Sequence, residues 1–319
     1  STTDGMNAIA AAIEWRPGDR ALTTCLEHAG AVGPLDALRA RGIEIDFVDI
    51  GDGGDDRRTL SAVEAALTPR TRLVVASHVT WVTGAVLPVV GLSELAHARG
   101  ALFAVDGAQS VGAMAVDFEA TGADAYALAG QKWLLGPEGM GALAVRPDLA
   151  ARLNPAFAGY LSFEAIDSVG TAVYHADARR FEWGTFHRPS VVGMARSISW
   201  LSMFVGLDWI YARGTATARR AAERLAKIPG VTVLTPVHQM ATLVTFRIEG
   251  WAAAEALAEL GARVFAIART IDALDALRIS VGFFTSDDEL ERFAEAVELL
   301  AGHTPATIPP RRTLTMLGG

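Results

Sequence analysis

Lysine is almost missing from this chain. Of its 28 basic residues only two, Lys132 and Lys227, are lysine, and the rest are arginine. There is one cysteine, which excludes an internal disulfide framework and fits a reducing, cytoplasmic setting. No basic run occurs and the net charge is -8, so neither nucleic acid nor an anionic membrane is the expected partner. The most apolar stretch, Leu73 to Leu92, is broken by His78, Gly84, Pro88 and Gly91. It reads as a buried strand with its loop, not as a membrane span. No signal-peptide pattern opens the chain, whose first residues read as the inside of a domain. No metal site is expected.

The scarcity of lysine directs attention to the two that remain. A guanidinium stays protonated and cannot form an imine, whereas a lysine amine can. Lys227 follows the helical stretch Thr215 to Ala226 and precedes Ile-Pro-Gly, so it reads as a solvated cation at a helix C-terminus. Lys132 lies between Gly130-Gln131 and Trp133-Leu134-Leu135-Gly136-Pro137. Apolar and turn residues flank it, which suits a reactive amine; the alternative is a surface lysine at a strand end.

With 319 residues, 51% of them hydrophobic, the chain can bury a large domain and a smaller one. Strands are expected at Ala21 to Thr24, Glu44 to Val48, Arg72 to Ser77, Ala101 to Val105, Ala125 to Leu128 and Ala142 to Val145. Helices are expected at Gly5 to Glu14, Val32 to Arg41, Leu60 to Leu67 and Leu92 to Arg99. The alternation predicts an α/β fold with a mostly parallel sheet and helices on both faces, over residues 1–205. Residues 206–319 read as a smaller α+β domain. A helix at Thr215 to Ala226 precedes strands near Val231 and Leu243. The helix Ala252 to Leu260 follows, then strands near Val264 and Arg278. The last helix opens on a Ser286/Glu289 capping box and stops at Gly302. From His303 the tail reads as irregular.

In open parallel sheets ligands bind beyond the carboxyl ends of the strands, and several polar residues fall there. Asp106 ends one strand and is followed by Gly107-Ala108-Gln109-Ser110. It can pair with a protonated ring nitrogen or simply cap the next helix. Thr2 and Thr3 precede a helix, where they suit a phosphate or an ordinary N-cap. His28 follows the first strand and can stack on a flat ring or be a loop histidine. Gly51-Asp52-Gly53-Gly54 runs into an acidic stretch, which argues against a dinucleotide-binding turn.

The runs Ser1-Thr2-Thr3-Asp4-Gly5-Met6-Asn7, Leu26-Glu27-His28, Ser77-His78-Val79, Val105 to Ser110, Lys132-Trp133 with Gly136-Pro137-Glu138-Gly139, and Arg180-Phe181-Glu182 with Gly184-Thr185 span nearly the whole chain. Together they resemble the class V aminotransferase group of fold-type I pyridoxal-phosphate (PLP) enzymes, which includes cysteine desulfurases, isopenicillin N epimerases and C–S lyases. The resemblance implies PLP as cofactor, Lys132 as its Schiff-base lysine and Asp106 as partner of the pyridine nitrogen. It puts Gln109 on the ring hydroxyl, His28 against the ring, and Thr2, Thr3 and Gln131 on the phosphate. Thr185 would reach the phosphate of a neighbouring subunit, so a homodimer with shared active sites is implied. A further segment precedes the threonines in that group, so residues ahead of Ser1 are expected to be missing here.

Within the group, Ser77 to Gly84, Asn154-Pro155 with Gly159-Tyr160, and Arg269-Thr270-Ile271 followed by Arg278 look most like the cystine/cysteine C–S lyases. The resemblance implies that Arg278 holds the substrate α-carboxylate and Arg269 a distal one, with Trp81 also on the substrate side. Arg269 can otherwise be a rim arginine in a surface ion pair. Gln131 stands where the group usually has histidine. Cys25 reads as a small buried apolar side chain, not a mobile-loop nucleophile. The expected reaction is β-elimination from a cystine- or cysteine-type amino acid, giving pyruvate, ammonia and a thiol or persulfide. Transamination and epimerisation are the alternatives, with a desulfurase or a non-catalytic relative behind them.

Overall fold

The computed structural model describes residues 1–311, which form two compact units. The first comprises residues 1–81 and 85–212; the second takes 82–84 and runs on from Arg213. The expected boundary at 205/206 thus lies seven residues ahead of the division, which falls inside a long helix. The irregular tail expected from His303 lies outside the described residues beyond Arg311.

In chain order the first unit contains α1 (Thr2–Ala12), β1 (Arg20–Thr24), α2 (Ala29–Ala37), β2 (Glu44–Val48), α3 (Asp56–Ala66), β3 (Thr71–Ser77), α4 (Val89–Ala98), β4 (Leu102–Asp106), α5 (Phe118–Thr121), β5 (Ala125–Ala129), β6 (Gly141–Val145), α6 (Pro147–Ala150), β7 (Phe163–Ile166), β8 (Ala172–Tyr174) and α7 (Arg188–Trp200). The division falls within α8 (Leu207–Ala226). Six strands form one sheet in the order β2-β1-β3-β4-β5-β6. The first five run parallel, and β6 returns antiparallel to β5. Strand β3 is buried at every position but Arg72, which is why its sequence is a continuous apolar run rather than an alternation. Met6, Ile9 and Ile13 of the α1 segment pack with Leu73, Val75, Ala104 and Ala125 of the sheet in one core. The apolar stretch from Leu73 to Leu92 is the rest of β3, a turn and the start of α4. Among the described residues no single helix is long and apolar enough to cross a membrane.

The second unit adds β9 (Val231–Val233), β10 (Leu243–Ile248), α9 (Ala253–Val264), β11 (Ala268–Ile271), β12 (Ala276–Ser280) and α10 (Asp287–Ala301). Its strands form an antiparallel sheet in the order β11-β12-β10-β9. Residues 82–84 belong here because Thr245 Oγ1 donates to the Val82 carbonyl at 2.8 Å and Thr235 Oγ1 to that of Thr83 at 2.6 Å. The Ser286/Glu289 capping box opens α10 as expected. The strand expected near Val264 is not there. Val264 is the last residue of α9, closed by Phe265 in the left-handed region, and the strand begins at Ala268. The short apolar run Val264 to Ile267 carried no signal to separate a helix end from a strand start.

One buried acid sits in the turn after β1. Glu27 accepts hydrogen bonds from Thr24 Oγ1 at 2.7 Å and from Ser77 Oγ at 2.5 Å. Burial, with the Asp106 charge adding to it, pushes its carboxyl up to about 7 from the ordinary 4.5. A proton held in the fold but released by the unfolded chain stabilises at low pH. That contribution is complete below pH 4.5 and is lost as pH rises through about 7. The loss amounts to about 3 kcal/mol over that window. Glu27→Gln keeps the shape without the titration. We therefore expect the variant's stability to gain on wild type by about that amount between pH 4.5 and pH 8, measured by denaturant unfolding. A difference that stays constant with pH would show that Glu27 titrates as an ordinary carboxylate.

Candidate active site

Parallel strands align their carboxyl ends, and the turns after β1, β3, β4 and β5 lie side by side in that order. Asp106, the last residue of β4, is the register partner of Ser77 at the end of β3. It is 5% exposed. Burial raises its pKa, while the Ala108 N–H donating to Oδ1 at 2.9 Å and the charges of Lys132 and His28 pull it back. The expected partners Asp106, Lys132 and His28 are therefore close enough to act on one another electrically.

The turn after Asp106 is fixed from beneath. A Cβ on Gly107 would lie 2.0 Å from Cε1 of Tyr126, so no larger residue fits without moving the ring. The Tyr126 hydroxyl lies 2.6 Å from Ser110 Oγ and 2.7 Å from His78 Nδ1. Burial holds the His78 imidazole down to about 4, so it is neutral near pH 7 and adds no charge beneath Asp106. The His78 backbone N–H donates to the Asp106 carbonyl at 3.0 Å.

Lys132 lies in the turn after β5, closed by Gly136 N–H donating to the Gly130 carbonyl at 2.8 Å and Leu135 N–H to that of Lys132 at 3.0 Å. Leu135 has φ 54°, a strained value for a leucine. Gln131 is exposed beside it. Trp133 is buried, and its indole N–H donates to Gln109 Oε1 at 3.0 Å. His28 is not a plain loop residue but the N-cap of α2, its Nδ1 accepting from the Gly30 N–H at 2.9 Å. Its ring meets that of Trp81 edge-on, with centroids 5.0 Å apart.

Thr2 and Thr3 do not precede α1 as expected; they are its first two residues, and Ser1 is the N-cap in a capping box with Asp4. The Thr2 hydroxyl is buried with no hydrogen-bond partner among the described residues. Thr3 is exposed, and a Cβ on Gly30 would come within 2.5 Å of its Oγ1. The start of α1 thus abuts the turn that carries His28. A helix N-terminus with an unsatisfied hydroxyl suits a phosphate, a buried strand-end carboxylate suits a protonated ring nitrogen, and Lys132 suits an aldehyde. These residues fit PLP. Thr185 lies on an exposed segment ahead of α7, its hydroxyl 2.6 Å from that of Tyr160.

In the second unit Arg269 of β11 is the register partner of Arg278 of β12. Directly opposite residues of an antiparallel pair share a face, so two guanidinium stems stand side by side there. Arg278 is 6% exposed and Arg269 is exposed. Burial, and then the Arg269 charge, hold the Arg278 guanidinium down to about 10.

Cys25 is corrected: it is exposed rather than buried, because it stands one residue beyond β1. Partial desolvation and the Asp49 charge push its thiol up, opposite to what a nucleophilic cysteine needs. Glu27, the His78–Tyr126–Ser110 chain and the Trp133–Gln109 bond are additions to the expected set. Except for Tyr126, which lies inside β5, their only sequence signal is position, each adjoining or sharing a strand-end run with a residue already singled out.

A family model described as class-V aminotransferase matches residues 1–293. A probable cysteine desulfurase of Mycolicibacterium paratuberculosis is 30% identical over 314 residues, covering 94% of this chain but 45% of the relative. The chain thus spans about half the length of that protein. The structure of the cystine C–S lyase C-DES with its product cysteine persulfide superposes with a TM-score of 0.87 at 26% identity, covering 93% of this chain and 79% of that one. A lysine-to-alanine variant of C-DES, with glycine covalently linked to its PLP cofactor, gives a TM-score of 0.85 at 26% identity, covering 93% and 78%. With the strand-end carboxylate, the lysine turn and the phosphate-type helix start in place, the chain belongs to the class-V aminotransferase family of PLP-dependent enzymes.

Proposed function

We propose that this protein is a PLP-dependent C–S lyase that eliminates sulfur from a cystine- or cysteine-type amino acid, releasing pyruvate, ammonia and a persulfide or thiol. When bound, PLP supplies an electron sink for chemistry at the substrate's α-carbon. Thr2, Thr3 and Gln131 would hold its phosphate, Gln109 its ring oxygen and His28 its ring face. Asp106 would keep the ring nitrogen protonated. Lys132 would anchor the cofactor and then take the α-proton of the substrate as a general base. Loss of that proton lets the Cβ–S bond break with its electron pair leaving on sulfur. The freed three-carbon enamine is hydrolysed to pyruvate and ammonia. No protein thiol is needed, in keeping with the raised pKa of Cys25.

The observation that carries the substrate assignment is the cross-strand pair of arginines. Like charges directly opposite one another destabilise a sheet, and a substrate with two carboxylates would offset that cost. Arg278 would take the α-carboxylate, Arg269 a distal one, and Trp81 would line the substrate side. Sharing of sites in a homodimer is supported by Trp183, Phe186, Val192, Trp200, Met203 and Phe204, all large, apolar and exposed, the last two at 75% and 78%. Thr185 lies within that stretch. We expect sedimentation to give twice the 33.7 kDa of this chain; a monomer would remove the shared-site part of the proposal.

Lys132→Ala should abolish both pyruvate release and borohydride-fixable attachment of the cofactor, while Lys227→Ala should do neither. Attachment surviving in the Lys132 variant would mean that another amine is the anchor. A charge-assisted bidentate pair contributes about 1.5–3 kcal/mol, so its loss should lower kcat/KM roughly ten- to a hundredfold. Arg269→Ala is expected to lower pyruvate release from cystine by that factor with little effect on cysteine, and Arg278→Ala to damage both. Equal losses on both substrates would make Arg269 structural. Keto acid formed only when an amino acceptor is supplied would replace the lyase by an aminotransferase.

A further inference from the structure

We infer that Trp133 is a positioning residue that restricts Gln109 to hydrogen-bond donation toward the cofactor; this rests on the proposed PLP site. The two ends of a carboxamide are alike in shape, and which one faces a given direction is settled by its partners. An indole N–H can only donate. The 3.0 Å bond from Trp133 Nε1 therefore requires the oxygen of Gln109 on its side. The NH2 group is turned the other way, and among the described residues it has no hydrogen-bond partner. Both side chains are buried, at 7% and 9% exposure, so water does not readily take over the indole's place.

The bond joins two turns 24 residues apart in sequence. Gln109 lies three residues beyond Asp106, and Trp133 adjoins Lys132. Gly112 fixes the approach: its φ is 89°, and a Cβ there would lie 2.7 Å from the Trp133 carbonyl carbon. The chain after Gln109 thus rests on the backbone of Trp133. Locked in this way, Gln109 can meet an anionic or acceptor oxygen of the cofactor and disfavours a protonated one. A free amide could turn its own oxygen toward that atom and repel the anion.

The test uses apo-protein titrated with PLP, together with a pH titration of the bound cofactor's visible absorbance, in wild type, Trp133→Phe, Gln109→Leu and the double variant. Near-UV circular dichroism checks the fold of each. Trp133→Phe should weaken PLP binding by on the order of five- to tenfold. It should also raise the spectroscopic pKa by roughly half to one unit. The absorbance pKa reports only on molecules that hold cofactor, so it is not moved by partial unfolding. The double variant should be no worse than Gln109→Leu alone, because the indole acts through the amide. An unchanged absorbance pKa in Trp133→Phe, or losses that multiply in the double variant, would overturn the inference while leaving the PLP site standing. Wild type that binds no PLP, or binds it without a borohydride-fixable link, would overturn the cofactor reading and this inference with it.

Discussion

A carboxylate buried at the end of a parallel strand is the constraint around which the rest of the first unit is arranged. Asp106 has lost most of its water, and an uncompensated buried charge is costly. Its support comes from the Ala108 N–H and from the charges of Lys132 and His28. Glu27 completes the balance by what it does not carry. Two acids in one desolvated region cannot both ionise cheaply. Glu27 holds its proton to about pH 7, and His78 is neutral there. With Glu27 and His78 neutral, the strand-end charge rests on Asp106, which Lys132 and the Ala108 N–H support.

The sheet makes this arrangement possible. Parallel strands bring the turns after β1, β3, β4 and β5 to one edge in spatial order, although the residues they carry are spread from Glu27 to Lys132 in sequence. Each turn is then fixed by a contact that a different residue would break. Gly107 rests against Tyr126, and Gly112 against the Trp133 backbone. The buried Tyr126 hydroxyl links the β4 and β3 turns through Ser110 and His78. Such networks rigidify only when satisfied; among the described residues the buried hydroxyls of Thr2, Thr59 and Thr242 have no partner, and Thr2 is the one at the phosphate-type helix start.

Much of this was legible in the sequence because it depends on local pattern. The buried strands appear as apolar runs, and Lys132 stands out because arginine has replaced lysine almost everywhere else. Other features depend on register or on distant partners and leave no local trace. Ser1 takes the cap instead of the threonines because its hydroxyl and Asp4 close a reciprocal pair, a competition that Ser-Thr-Thr does not decide by composition. The hairpin of β7 and β8 and the exposed helix α7 lack the buried periodicity that marks the sheet and its helices. Cys25 is apolar by type, but one step beyond a strand end is enough to expose it. The Trp133–Gln109 bond needs the fold before it can be seen at all.

The arginine pair shows how spacing acquires meaning only through register. Arg269 and Arg278 face each other because the β11–β12 hairpin turns symmetrically between them, pairing Ala268 with Ile279 and Ile271 with Ala276. A slip of one residue would carry Arg269 to the other face relative to Arg278 and separate the charges. The turn resists that slip. Asp275 adopts φ 43°, a conformation that aspartate tolerates better than most residues, and its Oδ1 accepts from the Ala253 N–H at 2.9 Å at the start of α9. The helix thus ties down the hairpin, and the hairpin holds two like charges side by side against their repulsion. A sheet built only for stability would place an acid or an apolar residue opposite a buried arginine. Keeping a second arginine there, beside a desolvated one, is the cost that the proposed two-carboxylate substrate would offset.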